Sequence, residues 1–349
     1  MHKERRLLHN IYDGRVLKQR MLESNEKRIT LSFYKYWRIK NPSELRDKLF
    51  LAWSALGVMG RVYVAKEGIN AQLSVPEKNL NLFRQQFEQT SGDLQWPNGI
   101  RLNYAADNNG KSFFKLKIKV RDKILADGLN DETFDVTDVG KHLSAEEFNR
   151  LTDHPDTILI DMRNHYESEV GHFEGAILPD ADTFRDELKM VEGMLQGNED
   201  KNIVMYCTGG IRCEKASAWL KHKGFRKVYQ LEGGIISYAR QVKEQGLKNK
   251  FHGKNFVFDE RLGERITEEV ISRCHQCGNP SDRHTNCANE GCHLLFIQCD
   301  ECAGRFENCC SEKCREFIHL PQEQQQELRK GVKKGRNVFR KGRMPAFHH

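Results

Sequence analysis

The chain has no run of about 18 apolar residues, so no segment reads as a membrane-spanning helix. Its first residues, MHKERRLLHN, carry charges with no apolar core behind them, which leaves the pattern of a secretory signal unmet. Residence in the cytoplasm, with no membrane partner, is the expectation. Neither the glycine fingerprint of dinucleotide binding nor a haem-attachment motif occurs, so flavin, nicotinamide and haem are not expected as cofactors. Repeats of fixed period are absent, which excludes a solenoid. Cysteine is missing from the first 206 residues: of eleven in all, Cys207 and Cys213 flank a glycine pair and nine lie between Cys274 and Cys314. Clustering of this kind favours catalysis and metal ligation over crosslinking.

With 349 residues the chain is long enough for two or three domains, each with its own core. The net charge is +7, and residues 321–349 supply +6 of it through eight Lys and Arg against Glu323 and Glu327. Such a tail is either a counterion-releasing grip on nucleic acid or a solvated extension.

Along the chain, Arg28–Ile39 reads as a strand, and Pro42–Leu56 carries apolar residues at helical spacing. Arg61–Ala65 and Ile69–Val75 form a hairpin pattern, Glu77–Thr90 is helical again, and Ser112–Val120 alternates. The order βαββαβ predicts a ferredoxin-like domain. In its last strand Lys115, Lys117 and Lys119 share one face with Phe113, while Phe114, Leu116, Ile118 and Val120 share the other. That basic face is either a phosphate-tracking surface with an aromatic for base stacking, or an ordinary solvated face. A polar connector follows Asp127. Beyond it TILIDM (157–162) and NIVMYC (202–207) are apolar without alternation, as in strands covered on both faces. Helical stretches over Asp182–Met194 and Cys213–Lys223 and a strand over Val228–Leu231 complete a mainly parallel α/β pattern.

Cys207, Thr208, Gly209, Gly210, Ile211 and Arg212 follow a buried strand and open a helix, which places the thiol at the carboxyl edge of a parallel sheet. The helix N-terminus, loop amides turned inward by Gly209 and Gly210, and the charge of Arg212 all favour a thiolate there. Cys207 is expected to be held exposed in a cradle suited to a thiolate, persulfide or oxyanion, with Arg212 stabilising its negative charge. Asp161 and Arg163 end the neighbouring strand and are expected to support the loop, most simply as an ion pair. Cys213 reads as a packed thiol or as a resolving partner for an oxidised Cys207. His165 and Glu167 form a weak His-x-acid iron-ligand pattern.

In the cysteine-rich stretch, pairs at short spacing suit tetrahedral zinc. The expected partition is Cys274, Cys277, Cys299 and Cys302 for one site, and Cys287, Cys292, Cys310 and Cys314 for the other. Reduced cysteines or a labile disulfide cluster are the alternative.

Asp161-Met162-Arg163, Tyr166-Glu167, GHFEGA (171–176), Cys207 to Arg212 and LEGG (231–234) resemble a rhodanese domain in order and spacing. A six-residue loop from Cys207 to Arg212 is similar to that of the sulfurtransferase branch. The wider chain resembles the bacterial rhodanese-containing tRNA uridine hydroxylases, through SFYKYW (32–37), KEGINAQLSV (66–75), KVRDKI (119–124), IDMRNHYESEVGHFEGA (160–176), VMYCTGGIRCEKASAWLK (204–221), GKNFVFDERLGERI (253–266) and CHQCG (274–278). That resemblance implies oxygen-dependent conversion of the wobble uridine at tRNA position 34 to 5-hydroxyuridine. It also implies tRNA as partner through its anticodon loop, molecular oxygen as cosubstrate, and Cys207 as active-site and persulfide residue served by a sulfur donor. A persulfide-forming sulfurtransferase and a non-catalytic RNA-binding scaffold are the alternatives.

The expected architecture is α/β and α+β. Residues 1–27 form an extension, 28–126 a ferredoxin-like domain, 127–142 a linker, 143–245 a rhodanese domain, 246–320 a zinc-binding module and 321–349 a basic tail.

Overall fold

The computed structural model describes residues 12–88, 99–106, 109–131 and 133–330. Its first part runs α1 (Gly14–Glu23), β1 (Arg28–Tyr36), α2 (Pro42–Ala55), β2 (Met59–Ala65), β3 (Gly68–Pro76), α3 (Leu80–Glu88), β4 (Asn103–Tyr104) and β5 (Leu116–Val120). Asn41 caps α2 by accepting from the Glu44 amide, and Pro42 starts the helix where no amide is needed. The five strands lie in the order β4-β1-β3-β2-β5. Leu31, Phe33, Val62, Val64, Ala71 and Leu73 alternate onto one face and bury Leu49, Trp53, Phe83 and Phe87 of α2 and α3 against it. The other face stays polar.

Two expectations are corrected here. The fourth strand of the βαββαβ set, beside β1, is the two-residue β4, too short to show a period in the sequence. The lysine-bearing strand instead adds to the opposite edge, parallel to β2, and it begins at Leu116 rather than Ser112. Phe113 is 7 % exposed, so it packs rather than offering a ring to solvent.

The second part consists of β6 (Lys141–Leu143), α4 (Ala145–Thr152), β7 (Thr157–Asp161), α5 (His165–Ser168), β8 (Gly171–Phe173), α6 (Phe184–Leu195), β9 (Asn202–Tyr206), α7 (Ile211–His222), β10 (Val228–Leu231) and α8 (Gly234–Gln245). Strands β6-β10-β9-β7 form a parallel sheet, with one apolar core against α6 and α7 and a second against α4 and α8. Core residues on both faces account for the unbroken apolar runs of β7 and β9. The stretch expected as a linker is held down: Phe134 packs edge-on against Trp219, and β6 pairs with β10 from Lys141 onward.

The third part is β11 (Phe251–Asn255), β12 (Glu264–Arg265), β13 (His284–Asn286), β14 (Leu295–Ile297), α9 (Asp300–Arg305), α10 (Glu312–Ile318) and α11 (Gln322–Arg329). β11 extends β8 antiparallel, which ties this module to the parallel α/β unit. The start of the expected basic tail is helical in α11, and residues 331–349, which carry most of its charge, lie outside the described residues. Among the described residues no helix is long and apolar enough to cross a membrane.

Candidate active site

Cys207 leaves the end of β9, and the chain turns through Thr208, Gly209 and Gly210 into α7. Only one of the two glycines is needed for backbone freedom. Gly210 has φ 102°, and a Cβ there would lie 2.7 Å from the Tyr34 hydroxyl. Its amide donates to Cys207 Sγ at 3.1 Å.

Burial alone raises the Cys207 pKa. A hydrogen bond from Cys213, the charge of Arg212, and the backbone amides of Cys213 and Arg212 outweigh it and bring the thiol down to about 5. Cys213 shows the reverse: burial and the adjacent Cys207 sulfur push its thiol well up, so it stays protonated and donates. The expectation of an exposed thiol is corrected, since Cys207 is 1 % exposed. It nevertheless lines a cavity of about 340 Å³, together with Thr208, Gly209, Ile211 and Arg212. Burial in protein and access to a small ligand are compatible because the sulfur forms part of the floor of a hollow.

Arg212 is anchored by a residue from another loop. Its guanidinium grips Glu167 of α5 in a two-point pair, 2.6 and 2.9 Å, and donates to Thr208 Oγ1 at 3.3 Å. Glu167, half of the weak iron-ligand pattern, is thereby committed to the arginine, while His165 lies 3.1 Å from Asp182. Asp161 and Arg163 form a fully buried ion pair at 2.6 Å, to which Tyr206 adds a hydroxyl on Asp161 at 2.7 Å. Arg163 also donates to the Gly171 carbonyl, so the pair ties β7 to β8 beneath the loop. Glu187 of α6 went unnoticed in the sequence. It is fully buried, neither carboxyl oxygen has a hydrogen-bond partner among the described residues, and burial pushes its pKa well up, which keeps it protonated near Arg212 and Cys207.

Most of the cavity wall comes from outside the parallel α/β unit. Ser32, Tyr34, Arg61, Tyr63, Asn70, Gln72 and Asn103 project from the polar face of the first sheet, and Phe258, Asp259, Arg261 and Glu264 come from the segment after β11. Tyr34 donates to Glu214 at 3.1 Å, and Asn103 to the Gly209 carbonyl at 3.3 Å. None of these residues stands out by type or spacing. Their signal is spatial, apart from the alternation that puts Asn70 and Gln72 on one side of β3.

Lys117 and Lys119 share that polar face through their register with Arg61 and Tyr63. Burial, then the charges of Lys119, Lys115 and Arg61, push the Lys117 ammonium below its ordinary range. Lys115 sits over the Phe114 ring at 5.1 Å. Lys115, Lys117, Phe114 and His293 line a second hollow that shares Arg61 with the first.

Eight cysteines gather into two groups, Cys274, Cys277, Cys299 and Cys302, and Cys287, Cys292, Cys310 and Cys314, each with its sulfurs within 4.8 Å of one another. The sulfur separations Cys277–Cys299, Cys292–Cys310 and Cys310–Cys314 are 3.6, 3.7 and 3.7 Å. A Zn–S bond of about 2.3 Å puts tetrahedral sulfurs about 3.8 Å apart, so both donor sets fit the ion. Cys309 is buried outside both groups.

Comparison with known proteins agrees with this division. Residues 28–124 match the UPF0176 acylphosphatase like domain, residues 144–241 the rhodanese-like domain, and residues 252–315 the family described as Rhodanase C-terminal. Proteins named tRNA uridine(34) hydroxylase from Photorhabdus laumondii and from an Enterobacter species are 57 % and 56 % identical over 97 % of this chain, covering 95 % and 96 % of their own lengths. One from Leptospira interrogans is 55 % identical over 98 % of the chain and 92 % of its own. With all three parts matched and the likeness running end to end, the chain belongs to the tRNA uridine(34) hydroxylase family.

Proposed function

We propose that the protein hydroxylates the uridine at position 34 of tRNA to 5-hydroxyuridine, with molecular oxygen as cosubstrate and Cys207 as the reacting side chain. The observation that carries this reading is a thiol with a pKa near 5 on the floor of a cavity of about 340 Å³, in a chain more than half identical to proteins of that name. A cavity of this size suits a small ligand. A wobble base lies in a single-stranded loop, so it reaches such a hollow without the cost of unpairing.

Replacing C5–H by C5–OH with oxygen delivers one oxygen atom to carbon and one to water, and it consumes two protons and two electrons, which a separate two-electron reductant supplies. On this reading Cys207 carries a persulfide loaded by a sulfur donor, and the amides of Gly210, Arg212 and Cys213 hold its charge. Arg212, fixed by Glu167, supplies a counter-charge that cannot swing away. Lys115, Lys117 and Lys119 contact phosphates of the anticodon loop from the rim. Each four-cysteine group holds a structural zinc ion, which holds together the module that supplies the far wall of the cavity. We place the enzyme in the cytoplasm, with its tRNA substrate.

The test is nucleoside mass spectrometry of tRNA from cells lacking the protein, rescued with wild type or Cys207→Ala, grown with and without oxygen. Wild type restores 5-hydroxyuridine in oxygen, and Cys207→Ala leaves it at the background of the deletion. Equal rescue by the alanine variant removes Cys207 from the chemistry, and rescue without oxygen points to another source of the oxygen atom.

A further inference from the structure

The polar face of the first sheet is organised in two rows across the strands. One row runs Asn103, Ser32, Gln72, Arg61 and Lys117, and the next Tyr34, Asn70, Tyr63 and Lys119. Both are uncharged where they meet the Cys207 loop and cationic at the far edge. The carboxylates of this cavity are already committed, because Arg261 holds Asp259 and Glu264 at 2.6 Å each. Of the amides, Asn103 donates to Gly209 and Asn70 to the Ile124 carbonyl at 3.4 Å. The amide of Gln72, half-buried on the cavity wall, has no hydrogen-bond partner among the described residues.

A wall with one wholly unpartnered amide among the described residues, two tyrosines in the adjoining row and no free carboxylate is matched to a neutral, flat ring with an amide-like edge. The edge of uracil presents carbonyl, N–H and carbonyl in one plane. A carboxamide returns an acceptor and a donor in one plane, enough for two of the three. Single-stranded bases are recognised by such edge bonds together with aromatic faces. A small sulfur-bearing anion has no use for this amide row. Arg61, beside Gln72 in the row and without an ion pair among the described residues, opens the cationic side where a phosphate belongs.

We propose that this sheet face is the base-reading wall of the active site and that Gln72 is the residue that reads the pyrimidine edge. The inference rests on the uridine hydroxylation reading and adds the residue that selects the base. Gln72 is not among the leading groups that set the ionisation of Cys207.

The experiment compares wild type, Gln72→Leu and the isosteric Gln72→Glu, as full-length chains at equal level in deletion cells, by 5-hydroxyuridine content. It adds the pH profile of Cys207 alkylation and the tRNA affinity of the purified proteins. Leaving the edge of the base unpaired lowers the rate by about tenfold to a hundredfold. The alkylation midpoint stays in place and tRNA affinity changes by less than about threefold, because phosphate contacts dominate it. Full 5-hydroxyuridine in both variants overturns the role of Gln72 while leaving hydroxylation intact. Loss accompanied by an altered Cys207 profile also overturns it, since the residue then acts through the fold. Failure of wild type itself to restore the nucleoside is the separate result that defeats the functional reading.

Discussion

A thiol sealed from bulk water should resist ionisation, yet Cys207 is ionised near neutral pH because its burial is outweighed by donors aimed at the sulfur. Cys213 is the first of these, and its own raised pKa is what makes it a donor. Replacing it with alanine removes one donor and leaves the loop backbone in place. The alkylation midpoint of Cys207 in Cys213→Ala is therefore expected to move upward from about 5, with the rate at pH 4 falling roughly tenfold, and that at pH 6 by about half, if one pKa unit is lost. A profile that stays put assigns Cys213 to packing alone. The same depressed pKa has a sign for stability. The stabilisation is complete above the pKa of the unfolded thiol, near 9, and is lost as pH falls through about 5. Melting of wild type against Cys207→Ala across this window measures it, and the wild-type advantage shrinks toward the acid end.

At the scale of elements, the Cys207 loop is shaped by what packs above it. Gly210 is the N-cap of α7 in a left-handed conformation, closed over by Tyr34 of β1. The two-residue β4 exists because it completes the edge beside β1, and it delivers Asn103 to Gly209. The cysteine-rich module has small cores, and Cys287, Cys309 and Cys310 form much of one of them. A metal ion in each four-cysteine group would staple it. Elemental analysis is expected to find two zinc ions per chain, matching the two four-sulfur groups. Stripping them with a chelator under reducing conditions is expected to lower the melting temperature by about 10 °C or more. A metal-free protein with unchanged melting identifies the groups as plain reduced cysteines.

At the scale of the whole molecule, the cavity exists only while the first sheet stays docked on α7. Lys215, 1 % exposed and one turn after Arg212, bridges Glu67 at 2.9 Å and Asp127 at 2.6 Å. Lys215→Met keeps the apolar stem and takes one buried cation from Glu67 and Asp127, which retain the Ile124 amide and Lys123 respectively, at a cost of about 1–3 kcal/mol read by denaturant unfolding. Protease sensitivity near residue 127 rises with it, and a variant as stable as wild type shows that the docking rests on packing. Local pattern alone was enough for the parallel sheet, for the Cys207-to-Arg212 loop that follows β9, and for the pairing of short-spaced cysteines, because each is encoded by neighbours in the chain. The partners of Arg212, the sealed position of the thiol, the place of β5 at the far edge, and the wall bearing Gln72 and Tyr34 were decided in three dimensions. Glu167 lies 45 residues from Arg212 and Gln72 lies on another domain. No periodicity reports which polar strand face will meet a reactive sulfur, since a face that ends up against another domain and one that ends up in water obey the same alternation.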